Sequence, residues 1–295
     1  MTIVPLAGCP KHMEYGPCGG VEIDGSCEIS PAPCVFLALP TVRWHGIERS
    51  AEPGVADPLP YSEASAGAER MRVSLAVKQV IVVDFPARAL DPDSIAECAG
   101  ILFGRVDAVL AGDAGAARVQ FSPSYRAHLI QSAGLSVWTG LNCRDRNRVA
   151  LEGELAGLAN VGVAAVHCVT GDHTLTGSRP DAVPVFDLDS TAMAALARAA
   201  GHLVSVGESP ATPPVGRRPA RLLEKMHAGA EVCFVNHAGG AAPVAEFIDE
   251  AQQLGATLHF IPCVPIVVDH ESAALLRTFT TLVLPQGYLD RILAA

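Results

Sequence analysis

Aromatic residues are scarce, at 5% of the 295 residues. Abundant Ala and Val stand in their place, which suits α/β layers packed through small and β-branched side chains better than an all-β sandwich. Charged residues are also few, at 18% against 49% hydrophobic. That balance excludes a disordered chain and implies a large, well-filled interior. Basic residues are outnumbered, 21 Lys and Arg against 31 Asp and Glu, for a net charge of -10. With no run of Lys or Arg to neutralise a phosphate backbone, nucleic acid is not an expected partner. No apolar stretch reaches the ~18 residues needed to span a bilayer, so no membrane partner is expected either. Met1–Pro10 lacks a basic segment followed by an apolar core, so it does not read as a signal peptide and the expected location is the cytoplasm.

What is present is a repeating texture. From Met71 onward, short apolar runs alternate with helix-length segments of mixed polarity. The expected strands are Gln79–Val83, Val106–Leu110, Leu135–Leu141, Ala164–Val169, Leu203–Val206, Val232–Val235 and Leu258–Ile261. Most are continuously apolar, as parallel strands covered on both faces must be. Expected helices include Arg148–Ala159, Ser190–Ala200, Pro219–Ala228 and Ala242–Leu254. Seven β-then-α units predict a TIM (β/α)8-like barrel; a doubly wound open sheet is the alternative, weakened by the lack of GxGxxG after a first strand.

An eighth strand is hard to find after Ile261. The apolar run Val35–Leu39 is the expected substitute, as in a circular permutation. The chain then divides into a Cys-, Gly- and Pro-rich segment (1–50), a linker or lid (51–70) and the barrel (71–295).

In such a barrel, chemistry gathers where strands end. Those positions hold Asp84, Gly112, Asp113, Asn142, Cys143, Arg144, Asp145, Thr170, Gly171, Asp172, His173, Glu208, Asn236 and His237. Each acid or amide has a plain alternative as the N-cap of the next helix, Asp145 above all. A rim this rich in acids and amides exceeds what capping needs, and suits a polar heterocycle or protonation of a substrate. His167 and His237 read as rings satisfied by backbone groups, and Cys233 and Cys263 as small core residues.

These segments carry a resemblance. GLNCRDRNR, then GVAAVHCVTGD, VFDLDS and LLEKMHAGAEVCFVN, in that order over about residues 78–290, resemble the methylenetetrahydrofolate reductases. The resemblance implies a TIM barrel that reduces methylenetetrahydrofolate to methyltetrahydrofolate. It implies Asp84 as general acid, with Val83 the alternative register; Glu14, in the N-terminal segment, is a second candidate acid on its own account. It places Asp172, Asn236, Asn142 and Asp113 on the folate, and Thr170, Gly171, Glu208 and Lys225 on a nicotinamide cofactor.

The departures from that family matter as well. Thr170-Gly171-Asp172, Gly140-Leu141-Asn142 and GESPATPPV replace the stretches expected to grip FAD. The closer resemblance is therefore to the divergent, flavin-independent actinobacterial reductases, with NADH or NADPH passing hydride directly and FAD absent. The alternatives are an FAD-dependent reductase and a non-catalytic barrel that binds folate or a methyl carrier. A barrel enzyme for phosphorylated substrates would need a Gly-rich phosphate loop, which IPCVPIVVDH does not supply.

Nine cysteines complete the inventory. Cys9, Cys18, Cys27 and Cys34 cluster with spacing C-x8-C-x8-C-x6-C, and the segment resembles a Cys-rich piece appended to some methylenetetrahydrofolate reductase-related proteins. Four thiolates could hold a structural zinc or an iron–sulfur cluster. The alternative is a metal-free Gly/Pro-shaped loop packed on the barrel, since no C-x2-C pair is present.

Overall fold

The computed structural model describes residues 8–47, 62–112, 117–277, 279 and 282–294. Seven parallel strands follow one another in chain order: β3 (Val82–Asp84), β4 (Ala108–Ala111), β5 (Val137–Asn142), β6 (Ala165–Val169), β7 (Val204–Glu208), β8 (Val232–Val235) and β9 (His259–Pro262). Helices connect them: α2 (Pro92–Leu102), α3 (Pro123–Ser132), α4 (Arg148–Val161), α5 (Ser190–Ala199), α6 (Arg218–His227) and α7 (Ala241–Gln253). Two short helices end the chain, α8 (His270–Arg277) and α9 (Tyr288–Leu293). The result is an α/β fold whose sheet curls into a seven-stranded half-barrel.

The apolar runs of the sequence are divided between two cores by the period of 2 along each strand. Val109, Val137, Leu141, Val166, Cys168, Val204, Val206, Cys233 and Val235 face the helices. Ala108, Trp138, Ala165, Val232 and Phe234 point the other way, into the curl. There the Trp138 and Phe234 rings meet edge to face at 5.3 Å. Trp138 Nε1 donates to Ser205 Oγ at 2.7 Å, so the buried indole keeps its hydrogen bond.

Helix α1 (Ala66–Val77) plugs the other end of the curl: its Ala68 and Met71 join the Trp138 core. Arg72 fastens it, donating to both Glu231 carboxylate oxygens at 2.8 and 2.9 Å and to the His202 carbonyl at 3.2 Å. Ser65 caps α1, Asp91 caps α2, Asn147 caps α4 and Asp189 caps α5. Pro92 and Pro123 open α2 and α3, where a missing N–H costs nothing.

Three expectations need correction. Val35–Leu39 forms no barrel strand; it is a turn and bend after a small antiparallel pair, β1 (Ser26–Cys27) and β2 (Ser30–Pro33). Its apolar residues pack within the N-terminal segment, where Phe36 is 3% exposed. Residues 66–70 belong to α1 rather than to a linker, because Ser65 accepts from the Ala68 N–H and starts the helix there. Of the rest of the expected linker, 51–61 lies outside the described residues. Asp145 does not cap a helix: Arg144 grips it through Nε (2.8 Å) and Nη2 (2.5 Å), and Asn147 takes the capping role.

Candidate functional site

Above the Trp138–Phe234 layer, inward positions carry residues too small to fill the curl. Register pairs Gly140 with His167 and Gly207 with Phe234. A Cβ on Gly140 would stand 2.8 Å from Gly112 Cα, so β5 and its neighbour approach this closely only because residue 140 has no side chain. The space left open is a cavity of about 450 Å3 at the C-terminal ends of the strands. Asp84 of β3 and Cys263 just after β9 both line it, so the two ends of the open sheet face one site.

The strand-end polar residues are available to this cavity because helix capping does not consume them. Asp84, Asn142, Thr170, Gly171, Asp172, Glu208, Asn236 and Lys225 all line it. Glu14 lies elsewhere, paired at 3.0 Å with His45 Nε2. Asp113 falls outside the described residues. Cys233 is core, as expected, whereas Cys263 is only partly buried and reaches the site.

The side chains that the sequence reading missed are basic. Lys11, Arg118, Arg218 and Arg221 join Lys225 and the expected Arg144 around the cavity, against Asp84, Asp172 and Glu208 as its acids. A chain of net charge -10 thus encloses a mostly basic cavity. The basic run in GRRPARLLEK was the available signal for Arg218 and Arg221. Lys11 and Arg118 gave none, since only the fold brings them here.

Glu208 sits at the tip of β7, 3% exposed. Its Oε1 lies 2.6 Å from Lys225 Nζ and its Oε2 3.6 Å from Arg218 Nη1. Burial pushes the carboxyl pKa up, but Lys225, Arg218 and Arg221 outweigh it and hold the pKa below the usual range. Lys225 also donates to the Gly207 carbonyl at 2.7 Å, and burial lowers its pKa despite Glu208. Arg218 is a strut: it donates to the carbonyls of Thr212, Pro213 and Cys18 at 2.9, 2.6 and 3.1 Å, tying the N-terminal segment to the barrel.

Other cations have unused capacity. Arg221 donates from Nη1 to Thr191 Oγ1 at 2.8 Å, and its buried Nε finds no hydrogen-bond partner among the described residues. Buried Nε and Nη2 of Arg118 likewise find none among them. Arg221 Nη2 also lies 3.8 Å from Asp189 Oδ2. Both guanidinium groups belong to residues that line the cavity, and such groups bind carboxylate or phosphate.

Asp84 is open to the cavity yet set into its wall, and that partial desolvation raises its carboxyl pKa. A pKa raised in this way suits proton transfer. His167 is held by Ser205 Oγ at 2.9 Å, and burial, with Lys225 nearby, depresses its pKa to about 4. It is neutral at physiological pH and tied to a side chain, where a backbone partner was expected. Asn236 donates to Ser209 Oγ at 2.9 Å, and Asn142 accepts from the Asp145 N–H at 3.2 Å. Lys11 reaches the rim through a buried 2.5 Å ion pair with Glu28, whose Oε1 also accepts from the His173 N–H.

Comparisons with known proteins divide the chain. Residues 1–51 match a family model described as "Methylene-tetrahydrofolate reductase C terminal". That match covers the Cys-rich segment only and does not place the whole chain in the family. No curated protein matches the chain. A solved structure of oxaloacetate acetylhydrolase with the product oxalate is similar at TM-score 0.50 and 13% identity, covering 78% of this chain and 84% of that one. A 2,3-dimethylmalate lyase, described as a member of the PEP mutase/isocitrate lyase superfamily, gives TM-score 0.47 at 14% identity, with 78% and 83% covered. A putative lyase/mutase from Burkholderia cenocepacia J2315 gives TM-score 0.47 at 14% identity, with 77% and 84% covered. At these identities the likeness concerns the fold.

The expected reduction of methylenetetrahydrofolate by NADH or NADPH, and the oxidoreductase class with it, is corrected here. The reductase-related match stops at residue 51, and the barrel matches, at TM-score 0.50, a structure named as an oxaloacetate acetylhydrolase. The physical reason lies in the rim. A ring of acids and amides was expected to read a polar heterocycle or to protonate a substrate, whereas six Lys and Arg side chains line the folded cavity beside three acids. Among the described residues no helix is long and apolar enough to cross a membrane.

Proposed function

We propose that the chain is a lyase-type enzyme that binds a small di- or tricarboxylate in the half-barrel mouth and breaks a carbon–carbon bond beside a carboxylate. The observation that carries this reading is the charge of the cavity: six basic side chains, Lys11, Arg118, Arg144, Arg218, Arg221 and Lys225, face three acids. Arg118 and Arg221 line the cavity, and planar guanidinium groups suit substrate carboxylates through paired hydrogen bonds. The names of the matched proteins, dimethylmalate lyase and oxaloacetate acetylhydrolase, point to the same substrate class.

Asp84 is the proton-transfer group in this reading. It takes the proton of a substrate hydroxyl, the carbonyl forms, and the adjacent carbon–carbon bond breaks. The electron pair moves onto the carboxylate-bearing fragment as an enolate, which the surrounding cations stabilise. Proton return to that carbon completes the cycle. Lys225, locked to Glu208, supplies fixed positive charge rather than a free amine.

A turnover screen tests this. The chain is incubated with 2-hydroxy and 2-oxo di- and tricarboxylates, and products are read by mass spectrometry. Cleavage of at least one substrate, abolished in Asp84→Asn, is the expected result. Cleavage that persists undiminished in Asp84→Asn removes Asp84 from the mechanism, and inertness toward the whole series contradicts the lyase reading.

A further inference from the structure

Three side chains in series connect the core of the curl to the cavity. Register sets Ser205 of β7 beside His167 of β6. Trp138 Nε1 lies 2.7 Å from Ser205 Oγ, and His167 Nδ1 lies 2.9 Å from the same oxygen. Trp138 and Ser205 are fully buried, whereas His167 lines the cavity.

The protons available to this series fix the histidine tautomer. An indole N–H only donates, so Trp138 occupies one lone pair of Ser205 Oγ. The single Ser205 proton has two acceptors in reach, His167 Nδ1 at 2.9 Å and the Val166 carbonyl at 3.4 Å. The first is an ordinary hydrogen-bond length, and the second exceeds the usual ~2.5–3.0 Å for O–H···O. The proton therefore goes to Nδ1. Burial depresses the ring pKa to about 4, so at neutral pH the imidazole carries one proton of its own. With Nδ1 accepting, that proton sits on Nε2, and His167 keeps one N–H donor.

Among the described residues no protein group takes this donor, since the one side-chain hydrogen bond of His167 is to Ser205. The Nε2–Cε1 edge of the ring faces Gly207 of β7, where a Cβ would lie 3.8 Å from Nε2 and 3.7 Å from Cε1. Gly207 also lines the cavity and, having no side chain, leaves that edge uncovered. Phe234 meets the ring edge to face at 5.1 Å and steadies it.

A neutral donor and a cation select different partners. Lys and Arg draw carboxylates by charge. One uncharged N–H, held in a fixed direction, suits an uncharged hydroxyl or carbonyl oxygen. A ligand without that oxygen leaves the desolvated donor unpaired, which costs affinity. We infer that His167 is a specificity-determining residue whose Nε2–H selects acids with a hydroxyl or oxo oxygen beside the carboxylate over plain dicarboxylates. Ser205 and Trp138 are its positioning residues. The inference rests on the reading of the mouth as a carboxylate site.

The test uses acids of equal charge that differ by one hydroxyl: malonate with hydroxymalonate, and succinate with each enantiomer of malate. Titration calorimetry on the parental chain should show the hydroxy acid of at least one pair bound about tenfold more tightly or better. His167→Asn keeps an acceptor for Ser205 near the Nδ1 position but has nothing at Nε2. It should bring the ratio of affinities close to one. Gly207→Ala lays a methyl over the Nε2 edge without touching the series of hydrogen bonds, and should lower the ratio as well. Circular dichroism monitors folding of both variants. NMR of isotopically labelled histidine nitrogens should show the resonance that His167→Asn removes as the Nε2–H tautomer. An Nδ1–H tautomer, equal affinities within both pairs, or a preference that survives in His167→Asn overturns the inference and leaves the carboxylate reading standing. No binding of any of these acids removes that reading and the inference with it.

Discussion

Glu208 and Lys225 form a buried ion pair at 2.6 Å, joining the tip of β7 to the last turn of α6 across the floor of the cavity. Neither partner can be removed alone without leaving a charge in a desolvated place. Glu208→Gln or Lys225→Met should each cost about 3–5 kcal/mol. The double variant should cost less than the sum of the two. Urea unfolding of the four proteins measures the coupling, and additive losses would show that the pair is not an energetic unit.

His167 gives the fold an acid sensitivity with a defined window. Its folded pKa of about 4 lies below the ordinary 6.5, so the unfolded chain binds a proton that the native one refuses. Stability must therefore fall as pH drops from about 6.5 to about 4, by up to ~3 kcal/mol for the full shift. His167→Gln, which can still reach Ser205, should flatten this part of the stability curve. An unchanged slope would assign the acid loss to other groups.

Packing sets a limit at Gly140. The nearest atom to an added Cβ is Gly112 Cα, backbone that cannot rotate away. Gly140→Ala should destabilise by about 1–3 kcal/mol through overpacking between β5 and the end of β4. Thermal unfolding checks it, and a neutral result would mean that the two segments separate easily.

The N-terminal segment is anchored by Glu28, which takes Lys11 Nζ at 2.5 Å and the His173 N–H at 2.8 Å. Glu28→Ala should release the segment and speed proteolysis within residues 8–47, leaving the barrel protected. Cleavage at the parental rate would show that Arg218 and its carbonyl partners suffice as an anchor.

Much of the architecture was legible because it rests on short-range patterning. The apolar runs that became β3–β9 were marked by β-branched content and length, and Val232–Val235 was bounded as observed. Closure was not legible. Val35–Leu39 has the composition of a strand, but its own neighbours within the Cys-rich segment bury Phe36, and local composition does not reveal that competition.

The candidate site was half legible for a similar reason. Asp84, Asp172, Glu208 and Asn236 stand at strand ends, where topology alone directs them to the mouth. Arg118 and Lys11 arrive from loops, and their place depends on contacts far along the chain, such as Lys11 with Glu28 and the Arg118 N–H with Ser178 Oγ. Reading the rim without those cations suggested a polar heterocycle; including them favours the anionic substrate proposed above.

Titration calorimetry with oxalate and malonate tests the central claim, that the mouth is a carboxylate site, most directly. The parental chain should bind at least one of them with an affinity that weakens at high salt, and Arg118→Ala should lose about tenfold or more, as expected for removing a charged hydrogen-bonding donor pair. No measurable binding of either dianion, or equal binding by Arg118→Ala and Arg221→Ala, would contradict the account.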